Sequence, residues 1–348
     1  MKTIFIVDDN DINLAIAEQA LEDSYRVLTL QSAAKMFVML GEIMPDLILL
    51  DIEMPEMNGF EALTELKKNP SWAQIPVIFL TASTDEEIEA RGFELGAVDF
   101  VTKPFSIPVL RNRLSTHLQI DELIKKRTMH IEKLKNSIIS VIADIVEQRD
   151  KVTGGHIERT SAYLKILIDE LNLRGLYKEE MKDWDTGVVI ASAKLHDVGK
   201  IKITDLILNK PGKLTEEEFI EMRTHTVEGE DIIGQIVAQT GEESFLAHAK
   251  LFAGCHHERW DGRGYPRGFQ GGEIPLQGRL MAIVDVYDAL VSVRPYKPAF
   301  THESAVEIIE KDSGTAFDPA LVGIFKDVKE SFAKVVKESA AAVAAEPV

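Results

Sequence analysis

The sequence predicts a multidomain chain. Residues 1–118 read as an α/β doubly wound domain on a five-stranded parallel sheet, and residues 151–335 as an all-α domain. Three observations point there. Up to about residue 118, short continuous apolar runs alternate with amphipathic stretches. Beyond it, apolar residues recur at three- and four-residue spacing with few strand signals. Gly and Pro gather at 254–278, marking a loop-rich stretch inside the helical part.

Ile4–Val7, Leu47–Leu50 and Val77–Leu80 are continuous apolar runs bounded by polar or turn residues. Such runs suit parallel strands buried on both faces. Val27–Leu30 and Val98–Val101 are fainter strand signals, and helical patterns such as Asn13–Leu21 and Phe60–Lys68 lie between the strands. This alternation is that of a doubly wound sheet. Over 119–150, Ile120, Leu123, Ile131, Leu134, Ile138, Val141 and Ile145 keep helical spacing with no Gly or Pro, so this segment reads as a connecting amphipathic helix. Two readings of its stripe stand: a contact between two copies of the chain, or a core helix of the second domain. The Ala-rich tail, 336–348, reads as low-complexity.

The 348 residues carry 39 Lys and Arg against 57 Asp and Glu, a formal charge of −18. That surface repels nucleic acid, so no DNA partner is expected. An anionic substrate would need local cations. No run reaches the roughly 18 apolar residues of a membrane span, and the N-terminus meets Asp8 and Asp9 too early for a secretory signal. The expectation is a cytoplasmic protein without a membrane partner. The single cysteine, Cys255, excludes an intramolecular disulfide. It reads either as a small buried residue or as a metal ligand beside His256 and His257.

Asp8 and Asp9 follow the first strand, Asp51 ends the third, Thr81 ends the fourth, and Lys103 follows the fifth. The carboxyl ends of parallel strands converge on one crevice. Three carboxylates there call for a hard cation, and oxygen ligands suit Mg²⁺. A hydroxyl and an ammonium aimed at the same place suit a phosphoryl group on a carboxylate. With Met54-Pro55-Glu56-Met57-Asn58-Gly59 after Asp51, the segment resembles a response-regulator receiver domain throughout 1–118. The resemblance implies phosphorylation of Asp51 by a cognate histidine kinase, through Mg²⁺ held by Asp8, Asp9 and Asp51. Thr81 and Lys103 would sense the phosphate, and Phe100 stands where the family has its switch aromatic.

Of nine histidines, His117, His130, His248 and His302 sit in ordinary contexts. The other five, His156, His196, His225, His256 and His257, join Asp197 and Asp285 in a pattern. Imidazoles with carboxylates suit Fe, Mn, Ni or Zn. Seven donors exceed one ion's needs, so two ions are expected, and Asp197 beside His196 is a natural bridge. Burying these groups without a metal would cost too much in desolvation.

His196-Asp197, then His225, then Asp285 resembles the HD phosphohydrolase superfamily, and His256-His257-Glu258 through Gly264-Tyr265-Pro266 resembles its HD-GYP branch. The resemblance covers about 140–330. It implies hydrolysis of cyclic di-GMP to pGpG, and on to GMP, by a hydroxide activated by two metal ions, with Fe or Mn ahead of Ni or Zn. Asp197 and Lys200 would be the catalytic pair. Lys200, Arg294 and Lys297 would hold substrate phosphates. Tyr265 either touches substrate or serves the turn. Three-metal members carry a Glu four residues before the first ligand His, where this chain has Val152, so two ions are expected rather than three. The same centre could act on another cyclic dinucleotide or nucleotide phosphoester, or serve a weakly active nucleotide-sensing adaptor. A homodimer through the connecting helix is the expected assembly.

Overall fold

A computed structural model describes residues 1–83, 85–149, 155–241, 244–292 and 299–345. It divides into two compact units, Met1–Glu132 and Lys133–Val348.

The first unit is built on β1 (Thr3–Val7), β2 (Arg26–Leu30), β3 (Leu47–Asp51), β4 (Val77–Thr81) and β5 (Asp99–Thr102), all parallel in the order β2-β1-β3-β4-β5. The doubly wound fold is the expected one. Every residue of β1, β3 and β4 is buried, as their unbroken apolar runs require. The helices are α1 (Asp11–Leu21), α2 (Ala33–Leu40), α3 (Gly59–Lys68), α4 (Glu86–Glu94) and the first part of α5 (Ile107–Arg149). They cover both sheet faces with separate apolar cores. Asn10, not an aspartate, caps α1, its side chain accepting from the amides of Ile12 and Asn13. Asp8 lies just before the helix, its carboxylate accepting from the Asn10 amide at 2.9 Å and from the Asn13 side chain.

Helix α5 starts at Ile107 rather than near 119. The last helix of the first unit and the connecting segment are one run, because nothing from Val109 to Arg149 breaks a helix: Pro108 sits in the first turn, where its missing N–H is harmless, and no Gly or Pro follows.

The second unit contains, after the end of α5, helices α6 (His156–Arg174), α7 (Thr186–Ala193), α8 (Asp205–Leu208), α9 (Glu216–Arg223), α10 (His225–Thr240), α11 (Ser244–Cys255), α12 (Leu276–Val291), α13 (His302–Lys311) and α14 (Pro319–Ala345). A 3₁₀ turn, Val198–Lys202, follows α7. The main core gathers Tyr163, Leu167, Phe252, Tyr287, Phe325 and Phe332 from α6, α11, α12 and α14. Gly199 lets the 3₁₀ turn lie against α10: a Cβ there would stand 1.9 Å from the carbonyl oxygen of His225. The loop between α11 and α12 is pinned from inside by Glu258, whose buried carboxylate accepts from the amides of Arg267 and Phe269 at 2.8 and 3.1 Å. Among the described residues no helix is long and apolar enough to cross a membrane.

Candidate functional site

Two clusters of donors form, one in each unit. In the first, carboxylate oxygens of Asp8, Asp9 and Asp51 lie within 4.8 Å of one another at the carboxyl ends of β1 and β3. Asp8 and Asp51 are buried and Asp9 is exposed. The Lys103 ammonium, after β5, stands 2.7 Å from Asp8 and 2.8 Å from Asp51. Burial pushes the Asp51 carboxyl up, Lys103 opposing it. Burial also pulls Lys103 down, but its bonds to Asp51 and Asp8 outweigh this and raise it. One ammonium against three carboxylates leaves net negative charge, a donor set that fits a hard divalent cation. Thr81 is buried at the end of β4, its hydroxyl accepting from the Ser83 amide at 3.0 Å. Phe100 is buried on β5 between Phe79 and Phe93.

In the second unit, His156 (start of α6), His196 (after α7) and Asp285 (on α12) form one trio of donors. His225 (start of α10), His256 and His257 (after α11) form another. Asp197 stands between them. One of its oxygens lies 3.5 Å from His196 Nε2, the other 3.5 and 3.6 Å from His225 and His256 Nε2. His156 Nε2 faces Asp285 at 3.6 Å.

The ring orientations are fixed from behind. Nδ1 of His196 donates to the Ala193 carbonyl at 3.0 Å, that of His225 to Met222 at 2.7 Å, and that of His256 to Phe252 at 2.9 Å. A carbonyl accepts only, so each of these rings carries its proton on Nδ1 and turns a lone pair inward on Nε2. His225 and His256 then point two lone pairs at each other across 3.3 Å. His196 Nε2 and Asp197 Oδ1 are buried without a hydrogen-bond partner. Burial pushes His196 and His225 down to about 4 and His257 well below its usual value. Burial also pushes Asp197 up, but Lys200 and His196 outweigh it and hold the carboxyl well below the usual range. Facing lone pairs, and a carboxylate with one oxygen buried and without a hydrogen bond, are unfavourable as they stand and fit bound cations.

Lys200 sits in the 3₁₀ turn with its ammonium 2.7 Å from Asp197. Together with Glu147, His156, His257 and Asp285 they line a cavity of about 370 Å³, within the size range of small-ligand sites. The Tyr265 ring lies 4.8 Å from the His257 ring at a tilt of 30°, with the Arg223 guanidinium 4.9 Å from its own. Arg294, Lys297 and Val152 lie outside the described residues. Cys255 is buried beside the site, its thiol pushed up to about 11 by burial; a neutral thiol is a poor ligand, in line with the packing reading. Of the ordinary histidines, His248 is bonded to Gln277, His302 to Tyr287 and His117 to Asp99.

Residues 140–321 match the HD domain family and residues 4–115 the response regulator receiver domain. The chain belongs to the HD-domain family. It is a response regulator whose receiver precedes an HD domain. A Vibrio cholerae protein described as a probable cyclic di-GMP phosphodiesterase is 39% identical over 353 residues, spanning 97% of this chain and 80% of that protein. The cyclic di-GMP phosphodiesterase response regulator RpfG of Xanthomonas campestris is 38% identical, over 80% of this chain and 74% of its own length. A 3'3'-cGAMP-specific phosphodiesterase of Vibrio cholerae is 35% identical, over 58% of this chain and 36% of its own.

Sequence reasoning missed the supports of this HD domain. Asp288 accepts from His156 Nδ1 at 2.8 Å and from Arg159 Nε at 2.7 Å. Burial alone would pull His156 down, but Asp288 and Asp285 raise it. The signal was present: Arg159 follows His156 and Asp288 follows Asp285 at the three-residue spacing that puts side chains on one helix face.

Proposed function

We infer that this response regulator is a metal-dependent phosphodiesterase that opens cyclic di-GMP to the linear dinucleotide pGpG, and then to GMP, under control of phosphorylation at Asp51. The observation that carries the reading is Asp197, placed between two trios of inward-facing donors. In this reading His156, His196 and Asp285 would hold one ion and His225, His256 and His257 the other, with Asp197 available to both. Iron or manganese is proposed, with Ni or Zn as alternatives, and two ions rather than three. When bound, the ions supply a hydroxide nucleophile near neutral pH and Lewis acidity at the phosphoryl oxygens. The chain supplies the rest. Lys200 keeps Asp197 ionised and offers positive charge at the cavity wall to the reacting phosphate. Arg294 and Lys297 bring the further cations that an anionic substrate needs near a chain of net charge −18. Tyr265 borders the substrate space beside His257.

In the receiver, Asp8, Asp9 and Asp51 hold Mg²⁺, and a histidine kinase supplies the phosphoryl group to Asp51. Lys103 and Thr81 then bind the phosphoryl oxygens, and Phe100 follows Thr81. Two copies pair through the exposed apolar face of α5, and the protein acts in the cytoplasm without DNA or membrane. A second substrate, 3'3'-cGAMP, is favoured by one observation, the 35% identity to a phosphodiesterase specific for it. Turnover of both cyclic dinucleotides by protein loaded with Fe, Mn, Ni or Zn, with product chromatography, tests the reading. The expected products are pGpG and GMP, with cyclic di-GMP preferred. Metal-loaded protein that leaves cyclic di-GMP intact sinks it.

A further inference from the structure

The last turns of α5 belong to the second unit and reach both sides of the donor cluster. Ile139, Ala143 and Val146 are buried there, and Ala143, Val146 and Glu147 line the cavity. Two charged side chains at the helix end make bonds that the metal reading does not use.

The first is Glu147. Helix α6 begins at His156, and the residue before it is Gly155, which has no side chain to cap the helix. A helix start leaves backbone N–H groups without intrahelical partners. Glu147 Oε1 fills this role, accepting from the His156 amide at 3.0 Å. The residue so capped is itself a proposed ligand, whose ring is held from the other side by Asp288 at 2.8 Å.

The second is Arg149. Its guanidinium donates to the carbonyls of Lys200, Ile201 and Ile203 at 3.3, 2.9 and 3.1 Å, and to the Asp205 carboxylate at 2.8 Å. The planar fork thus closes the C-terminal side of the 3₁₀ turn that follows His196 and Asp197 and carries Lys200. Asn209 fastens the helix end in return, donating to the Arg149 carbonyl at 2.9 Å.

We propose that Glu147 and Arg149 are positioning residues of the metal centre: the end of α5 holds His156 through one and the Lys200 turn through the other, setting the separation of the two sides of the cavity. Neither touches the reacting atoms. Both act through groups that do, as outer-sphere partners do at other metal sites. The inference rests on reading the histidines and aspartates as a metal centre, and the test separates the two.

In the full chain, Glu147→Ala, Glu147→Gln and Arg149→Ala are compared with wild type. The readouts are metal affinity by chelator competition, kcat and KM for cyclic di-GMP, and amide exchange of residues 198–203 in metal-free protein. Each alanine variant is expected to weaken metal binding about 10–100-fold and to lower kcat by a similar factor, with KM moving less than about threefold. Arg149→Ala is expected to speed exchange across the 3₁₀ turn before any metal is added. Glu147→Gln keeps an oxygen acceptor for the His156 amide and is expected to restore metal affinity to within about threefold of wild type. Alanine variants that bind metal as wild type does overturn the proposal, and so does Glu147→Gln as weak as Glu147→Ala. If Glu147→Ala does not fold, Glu147→Asp takes its place: the shortened arm must show the same loss, and wild-type affinity there overturns the proposal. Wild-type protein that binds no metal sinks the metal reading and this inference together.

Discussion

The two units each gather acidic groups beneath a cavity or crevice, and they neutralise them in opposite ways. In the receiver, the chain brings its own cation: Lys103 bonds to both Asp8 and Asp51. In the HD domain, Lys200 answers only one oxygen of Asp197, while the other oxygen and His196 Nε2 stay buried without a hydrogen bond. The receiver pocket is therefore electrostatically tolerable without an ion and suits a cation that comes and goes with phosphorylation. The HD cluster is less so, and the ions proposed for it would contribute to the stability of its fold.

The sharpest break of this contrast is Asp197→Ala. Its carboxylate faces both trios, so its loss should reduce cyclic di-GMP turnover by well over the ~10–100-fold expected for an outer-sphere partner. Elemental analysis of the folded variant should show lowered metal. Activity retained with full metal content would overturn the bridging role proposed for Asp197.

Chelation tests the same contrast at the level of stability. An ion bound only by the folded state at ~1,000 times its Kd stabilises by about 4 kcal/mol. For a unit of this size, that corresponds to roughly 10 °C in melting temperature. Removing transition metals should shift the HD transition by about that much. Withholding Mg²⁺ should leave the receiver transition nearly in place, because Lys103 remains. Equal shifts would erase the distinction.

Asp288→Asn comes next. It keeps a carbonyl acceptor for His156 but loses the charge that pairs with Arg159. Metal affinity is expected to fall about 10–100-fold, with KM for substrate little changed. Unchanged affinity would show that His156 needs no anchor.

These effects also show what the sequence could and could not reveal. The strands of the receiver were legible because a strand buried on both faces needs an unbroken apolar run, and β1, β3 and β4 have one. β2 was fainter because Arg26 is exposed and Val27, Leu28 and Thr29 only half-buried. The start of α5 is less legible because composition changes near residue 119, while the helix begins at Ile107 and meets no breaker up to Arg149. In the HD domain, donor types and motif order pointed to the histidines and aspartates that the fold brings together. The layer behind it, Asp288, Arg159, Glu147 and Arg149, is ordinary charge on helices, and only folding shows which of these face inward.

Asp51→Ala separates the two units' chemistry. Acetyl phosphate or a beryllofluoride mimic should modify wild type and not the variant, read by mass and by fluorine resonance. Basal cyclic di-GMP turnover of the variant is expected to stay within about threefold of wild type, since none of the proposed metal ligands lies in the receiver. Labelling that persists in Asp51→Ala would reject the site.

The smallest effect concerns α5, which has two apolar faces. Ile139, Ala143 and Val146 are buried in the second unit, whereas Leu134, Ile138, Val141 and Ile145 are each at least 50% exposed. The exposed set keeps the three- and four-residue spacing of a helix-pairing stripe. A stripe of this kind on one chain is matched by the same stripe on a second, since a two-fold pair brings identical surfaces together. Leu134→Glu with Val141→Glu places like charges across that contact and leaves the buried face alone. The double variant should shift mass from dimer toward monomer in light scattering, with metal content unchanged. Beryllofluoride should then alter the turnover of wild type more than that of the double variant, because the pairing through which phosphorylation is proposed to act has been weakened. If wild-type mass and turnover do not respond to beryllofluoride at all, α5 is a tether between independent domains. If the double variant remains dimeric, two copies meet through another surface and the exposed stripe has a different use.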